Sequence, residues 1–154
     1  MKKLCGLLLT VFLAFCLSGC AFYALLEDPV VASLPRYKDF ESYSSGDFQD
    51  YTDYKKYFYE SVDAEALSQS AYFSECTEED VEELLEYIDF FSRSVEQVDD
   101  ELKQNYDFDT SIISTGDYFY IETRDELEYQ KFGGFNIYYF DIEAQILYFF
   151  HYNN

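Results

Sequence analysis

The pattern that most constrains this chain lies between Thr77 and Lys103. Val81, Leu84, Leu85, Ile88, Phe91, Val95, Val98 and Leu102 recur there at three- and four-residue spacing. At about 100° per residue they fall within an arc of roughly 140°, a single apolar stripe on a helix whose opposite face is acidic. Thr77 stands as the N-cap, with Asp80 where a capping box places its acid; Glu78, Glu79 and Asp80 also suit the positive end of the helix dipole. The like-charged pairs Glu78–Glu82, Glu79–Glu83 and Glu82–Glu86 each cost roughly 0.2–0.5 kcal/mol, partly offset by Asp89–Arg93 and Asp99–Lys103. Packing of the stripe therefore has to hold the helix, and Ser92–Ser94 is the place where it would break. The chain must supply an apolar layer for the stripe to lie on.

The C-terminal third offers that layer. Residues 118–123, 135–141 and 145–152 are rich in aromatic and β-branched side chains and read as strands. Asp141-Ile142-Glu143-Ala144 is a short turn, so the last two strands form a hairpin, and Gly133-Gly134 ends a longer loop before it. Upstream, Phe48, Tyr51, Tyr54 and Phe58 are spaced by three, three and four. This predicts a first helix over 48–59, capped by Asp47 or a preceding Ser. Residues 63–73 read as a short second helix. Residues 21–46 read as a tether running into the domain, interrupted by Pro29, Pro35 and the cluster Ser42, Ser44, Ser45, Gly46. The expected fold is α+β: N-terminal helices, one of them long and amphipathic, packed on a three- to four-stranded antiparallel C-terminal meander.

Composition narrows the function classes. The 154 residues suit one domain, and 49% hydrophobic content can supply its core. With 6 Gly and 2 Pro, collagen-like and low-complexity chains are excluded. With 31 acidic against 10 basic residues, nucleic acid is excluded as a default partner, because binding a phosphate backbone needs Lys and Arg to displace counterions.

The first twenty residues carry a separate message. Lys2 and Lys3 are followed by an uncharged apolar run from Leu4 to Leu17, then by Ser18, Gly19 and Cys20. A basic start, a short apolar stretch and small residues are the parts of a secretory signal peptide. The run is short of the roughly twenty residues that span a bilayer as a helix. Leu17-Ser18-Gly19-Cys20 resembles the lipobox of bacterial lipoproteins. The resemblance implies that the Cys20 thiol receives a diacylglyceryl group, that a dedicated peptidase cuts before Cys20, and that the new amino terminus is open to acylation. Two or more acyl chains anchor stably, since each buried CH₂ contributes roughly 0.8 kcal/mol. An ordinary secreted protein cut nearby, or an uncleaved anchor, are the other readings of the same segment. On the lipoprotein reading the chain divides into a signal peptide (1–19, removed), a lipidated Cys20 with its tether (20–46) and a single α+β domain (47–154). Its expected place is the extracytoplasmic face of a bacterial cell membrane.

Processing there removes two Lys and no acid, leaving 8 basic against 31 acidic residues, a formal charge of −23. Such a domain is repelled by anionic lipid, so the acyl chains alone do the anchoring. Phe22, Tyr23, Leu25 and Leu26 are apolar for a tether and suit either the lipid interface or docking on the domain. Cys5 and Cys16 leave with the signal and Cys20 is lipidated, so only Cys76 remains and no intramolecular disulfide can form. Cys76 reads as a small buried apolar side chain, with an intermolecular disulfide or a reactive thiol as the alternatives; Glu75, Glu78 and Glu79 disfavour its thiolate. The ending Asn136-Ile137-Tyr138-Tyr139-Phe140-Asp141 and Leu147-Tyr148-Phe149-Phe150-His151 is faintly similar to small uncharacterised secreted proteins of Gram-positive bacteria, and that similarity brings no activity with it.

Both faces of the predicted strands carry aromatics. Tyr118 and Tyr120 alternate with Phe119 and Ile121, and Tyr148 and Phe150 with Leu147 and Phe149. One face takes the long helix. The other is either a second packed layer or an aromatic surface for a partner, a role that suits Tyr because its ring packs while its hydroxyl stays wet. Tyr118, Tyr120 and Tyr148 are the candidates, together with Phe90, whose helical angle places it among the acids. The acidic helix face is either simply solvated or docks a basic partner. Asp107-Phe108-Asp109-Thr110-Ser111 begins like a calcium loop, but Ile112 replaces the needed Gly and Tyr118 the bidentate Glu. Hydrolase, P-loop and dinucleotide signatures are absent, and the one histidine, His151, reads as a structural strand-end residue. With 31 carboxylates, a pair at glycosidase separation would arise by chance and carries no weight. The expected role is non-catalytic binding of an envelope protein, a wall polymer or a small ligand, with no metal and no cofactor. The alternative is a carboxylate-dependent cell-envelope hydrolase, which needs two acids converging in a pocket with one pKa raised.

Overall fold

A computed structural model describes residues 28–46, 51–98, 101–124 and 132–153. The chain divides into two units, Met1–Ser33 and Leu34–Asn154. Of the first, the described part is a one-turn helix, α1 (Pro29–Ala32), with Pro at its first position and Asp28 as cap. Asp28 Oδ1 accepts from the N–H groups of Val30 and Val31, at 2.9 and 3.4 Å.

The second unit is built on six strands: β1 (Asp39–Gly46), β2 (Tyr51–Phe58), β3 (Ser74–Glu75), β4 (Tyr118–Thr123), β5 (Gly134–Asp141) and β6 (Ile146–Asn153). Its helices are α2 (Ala64–Gln69), α3 (Glu78–Glu96) and α4 (Glu101–Asn105), with a 3₁₀ turn at Thr110–Ile112. The strands form one sheet in the order β1-β2-β6-β5-β4-β3, every neighbouring pair antiparallel. The expected architecture is thereby overturned. The protein is α+β, but its sheet has six strands rather than three or four, and its helices are scattered along the chain rather than gathered at the front.

The largest correction is at 48–59, expected as a helix. Residues 51–58 are a strand inserted between β1 and β6, with Tyr54 opposite Phe150 and completely buried. Tyr, Thr and Phe favour a pleated, half-buried surface, and the three-residue step from Tyr51 to Tyr54 puts the two rings on opposite faces of the strand, Tyr51 against His151 and Tyr54 in the core. The bare edge of β6 decides: unpaired, it would leave a row of backbone donors and acceptors in an aromatic core. Residues 39–46, assigned above to the tether, pair with β2 along their whole length as β1. The second helix is shorter than expected, Ala64–Gln69 rather than 63–73.

The three C-terminal strands and the start of α3 lie where the pattern puts them. Thr77 caps α3 in a complete capping box: Asp80 Oδ2 accepts from the Thr77 N–H at 2.9 Å, while Thr77 Oγ1 accepts from the Asp80 N–H at 3.4 Å. The helix ends at Glu96, short of the expected 103, and α4 follows as a separate turn. Leu84, Tyr87, Ile88, Phe91 and Val95 of α3 join Leu102, Phe108 and Ile113 over one sheet face, formed by Tyr54, Phe135, Ile137, Tyr139, Tyr148 and Phe150. Burying a side chain of this size contributes roughly 1.5–3 kcal/mol, so a single core residue outweighs several of the acidic repulsions on the far side of α3.

The opposite face presents Phe140 and Leu147, both fully buried. The segment after β2 brings buried Tyr59, Val62, Leu67 and Phe73, the Tyr59 ring centroid lying 5.5 Å from that of Phe140. Gln145, in the left-handed region at φ 58°, fastens this segment to the hairpin. It donates to the Val62 carbonyl at 3.1 Å and accepts from the Val62 N–H at 2.5 Å.

Candidate functional site

The four aromatic candidates do not converge. Tyr118 and Tyr120 lie on the second face of the sheet. Tyr118 is buried opposite Phe140, and Tyr120 is half-buried with its ring 5.4 Å from Tyr72 and 5.9 Å from Tyr138. Tyr148 lies on the other face, buried in the core 4.8 Å from the Phe108 ring. Phe90, half-buried on α3, stacks on Phe132 at 4.5 Å and meets Tyr152 edge-on at 5.1 Å. Cys20 lies outside the described residues.

Phe90 does, however, line a concave site. The last turns of α3 and the ends of β1, β2 and β6 enclose a groove of about 370 Å³, lined by Thr52, Phe90, Arg93, Gln97, Tyr152 and Asn153 among others. Phe90 and Arg93 share it because they lie three residues apart on one helix face. Arg93 Nε donates to the Asp89 carbonyl at 3.1 Å, which steadies a permanently charged guanidinium at the rim. No carboxylate stands among the described residues that line the groove. An aromatic wall with amide, hydroxyl and guanidinium groups can hold a neutral or anionic ligand that mixes apolar and hydrogen-bonding surface. The helical angle of Phe90 singled it out but placed it among the acids, whereas its ring lies against Phe132, Phe135 and Tyr152. Tyr152 and Asn153 were missed because they reach the groove from a distant part of the chain, and Arg93, three residues from Phe90, because it was read only as the partner of Asp89.

A second constellation crosses the other face. Ser44, Asp53, His151, Asn136 and Glu122 occupy consecutive registers on β1, β2, β6, β5 and β4, a polar row through an aromatic surface. Ser44 Oγ donates to Asp53 Oδ1 at 2.5 Å, and Asn136 Nδ2 donates to Glu122 Oε2 at 2.7 Å. The Asn136 oxygen then faces His151 Nδ1, 2.5 Å away, so the network places the imidazole proton on Nδ1. Nε2 is left with its lone pair and no hydrogen-bond partner among the described residues, on a side chain only 3% exposed. Burial pushes the His151 pKa down; Asp53 pulls it up, Arg124 and Lys55 add to the downward push, and Glu122 opposes them. The Tyr51 ring lies 4.4 Å from the imidazole, and Lys55 Nζ lies 5.1 Å from the Phe149 ring.

The remaining polar clusters hold the fold. Lys56 Nζ lies 2.7 Å from Glu41 and 2.8 Å from Asp107, whose other oxygen accepts from the Tyr54 hydroxyl at 2.9 Å. Burial raises the Asp107 pKa, but the hydrogen bonds from Lys56 and Tyr54 outweigh it and hold the carboxyl low. The supposed start of a calcium loop is thus an ion-pair anchor, and no group of three metal-ligating side chains occurs among the described residues. Asp117, buried, accepts from Tyr139 and Ser114 hydroxyls at 2.5 and 2.8 Å and from the Ile142 N–H at 3.0 Å. Cys76 is buried, and burial pushes its thiol up to about 12, with Asp117, Asp80 and Glu75 adding to the effect. No described helix is long and apolar enough to cross a membrane.

No protein-family model, no curated protein and no solved structure matches the chain.

Proposed function

We propose that this protein is a lipid-anchored domain on the extracytoplasmic face of a bacterial membrane, held there through Cys20, and that it acts by binding. The observation that carries the binding half is the groove of Phe90, Arg93 and Tyr152, where an aromatic wall and a cation meet hydrogen-bonding side chains. The anchor half rests on Lys2, Lys3, the apolar run and Leu17-Ser18-Gly19-Cys20. A carboxylate-based hydrolase draws less support. Among the described residues, the carboxyls whose pKa is displaced, Asp80, Asp107 and Asp109, all move down, and a proton donor needs the reverse.

The test has two arms. Cys20→Ala moves the protein out of the membrane fraction or leaves it unprocessed; a processed, membrane-retained variant contradicts the anchor. The detergent-purified full-length protein is immobilised and challenged with solubilised envelope proteins and soluble wall-polymer fragments. Retention that drops at least about tenfold in Phe90→Ala/Arg93→Ala supports the groove. Retention no higher than on a blank resin removes the binding reading.

A further inference from the structure

The sheet ends in two unlike edges. The β3 edge is two residues long, whereas β1 runs for eight, paired with β2 on one side and with no other described strand on the opposite side. The Phe40 N–H is taken by the neighbouring Asp39 Oδ1 at 2.9 Å rather than by the ladder, so it points outward. By alternation along an antiparallel strand, the backbone groups of Ser42 and Ser44 point outward as well. Phe40, Ser42, Ser44 and Gly46 are all exposed, and at 53% Phe40 is the one large hydrophobic side chain exposed among the described residues. Its ring lies 5.8 Å from Tyr37 and 6.2 Å from Tyr57, making an aromatic shelf at one end of an otherwise small-residue edge.

A long strand with a free row of backbone donors and acceptors is a template for another strand. Charge selects among the candidates. Exposed Asp39 lies along this edge, while Glu41 is already paired with Lys56, in a chain with 31 acidic and 10 basic residues. A second copy would bring two strongly anionic bodies edge to edge, and like charges across a strand pair repel while opposite charges attract. We infer that the β1 edge takes an extended basic segment of another protein by strand addition. The partner's main chain bonds to the outward groups of Ser42 and Ser44 and to the Phe40 carbonyl, a cation lies beside Asp39, and an apolar side chain rests on the Phe40 shelf. The proposed contacts at Phe40, Ser42 and Ser44 lie outside the groove, which meets β1 only at Ser45 and Gly46.

The test uses the detergent-purified full-length protein and three fluorescent peptides: alternating Lys-Val, alternating Glu-Val, and a Lys-Val peptide with Pro at every second Val. The last keeps the charge and cannot form a strand. Anisotropy is expected to show binding of the Lys-Val peptide at least about tenfold tighter than of either other peptide. Ser42→Pro, tolerated on an edge because the lost N–H faces solvent, is expected to weaken that binding by a similar factor. Asp39→Lys, at an exposed position, shifts the preference toward the Glu-Val peptide and keeps the test decisive should Ser42→Pro unfold. Equal binding of the Pro-containing peptide, no binding of Lys-Val, or no change of preference in Asp39→Lys overturns the inference. Sedimentation showing a dimer that Ser42→Pro dissolves also overturns it, by making a second copy the occupant.

Discussion

His151 Nδ1 donates to the Oδ1 of Asn136, 2.5 Å away, because Asn136 has already turned its amide nitrogen to Glu122. One carboxylate on β4 thus sets the tautomer of an imidazole two strands away. The buried lone pair at Nε2 is the consequence.

Because His151 is the only histidine, its titration can be followed without a variant. NMR is expected to show a proton on Nδ1 and a pKa below the ordinary value of about 6.5. The sign for stability follows: below about pH 6.5 the unfolded chain takes up a proton that the folded one resists. Stability is therefore full above that pH and declines as pH falls from there toward the folded pKa. Urea denaturation between pH 5 and 8 measures the slope; a midpoint above 6.5 for the imidazole would refute this reading.

Asp107 is the hinge of the Lys56 cluster. Asp107→Ala removes the acceptor of the Tyr54 hydroxyl and one of the two carboxylates on Lys56. The expected cost is about 1–3 kcal/mol, the range for stranding a buried polar group. Tyr54→Phe should cost less and make Asp107→Ala milder, a coupling that a double-mutant cycle in urea reads directly. Because the Asp107 pKa is depressed, this contribution is present above about pH 3.9 and lost as pH falls through the folded value.

Thr77→Ala removes the N-cap of α3 and is expected to cost about 1 kcal/mol, while Thr77→Ser keeps most of the stability. Thermal unfolding of the two variants side by side checks it; identical melting points would mean that the cap contributes nothing.

Asp117→Ala strands the Ile142 N–H and removes one acceptor each from the exposed Ser114 hydroxyl and from the Tyr139 hydroxyl, which keeps the Ile112 carbonyl at 3.0 Å. A loss of about 1–3 kcal/mol is expected, beyond that of Tyr139→Phe, which removes one donor together with its need. Chemical denaturation of both variants decides whether the carboxylate organises the turn or merely fills it.

How far the chain could be read in advance depended on where the deciding interactions lie. The start of α3 was legible because a capping box and a 3.6-residue stripe are local patterns, contained within a few turns of chain. The strands 118–123, 134–141 and 146–153 were legible for the same reason, as aromatic and β-branched runs ended by turns. Residues 51–58 were not, since the spacing of Tyr51, Tyr54 and Phe58 is that of a helix, and a strand accommodates it only because aromatic residues cover both of its faces and the open edge of β6 takes it in. Residues 39–46 became β1 only once β2 existed to pair with them.

The groove and the polar row divide in the same way. Phe90 could be singled out from its helical angle, and the charge imbalance and the Cys20 segment are properties of the sequence alone. That Arg93 shares a groove with Tyr152 follows from the packing of α3 on the sheet, and that Glu122 orients His151 through Asn136 follows from register across it. Register is a relation between strands far apart in the chain, and it exists only once the sheet has closed.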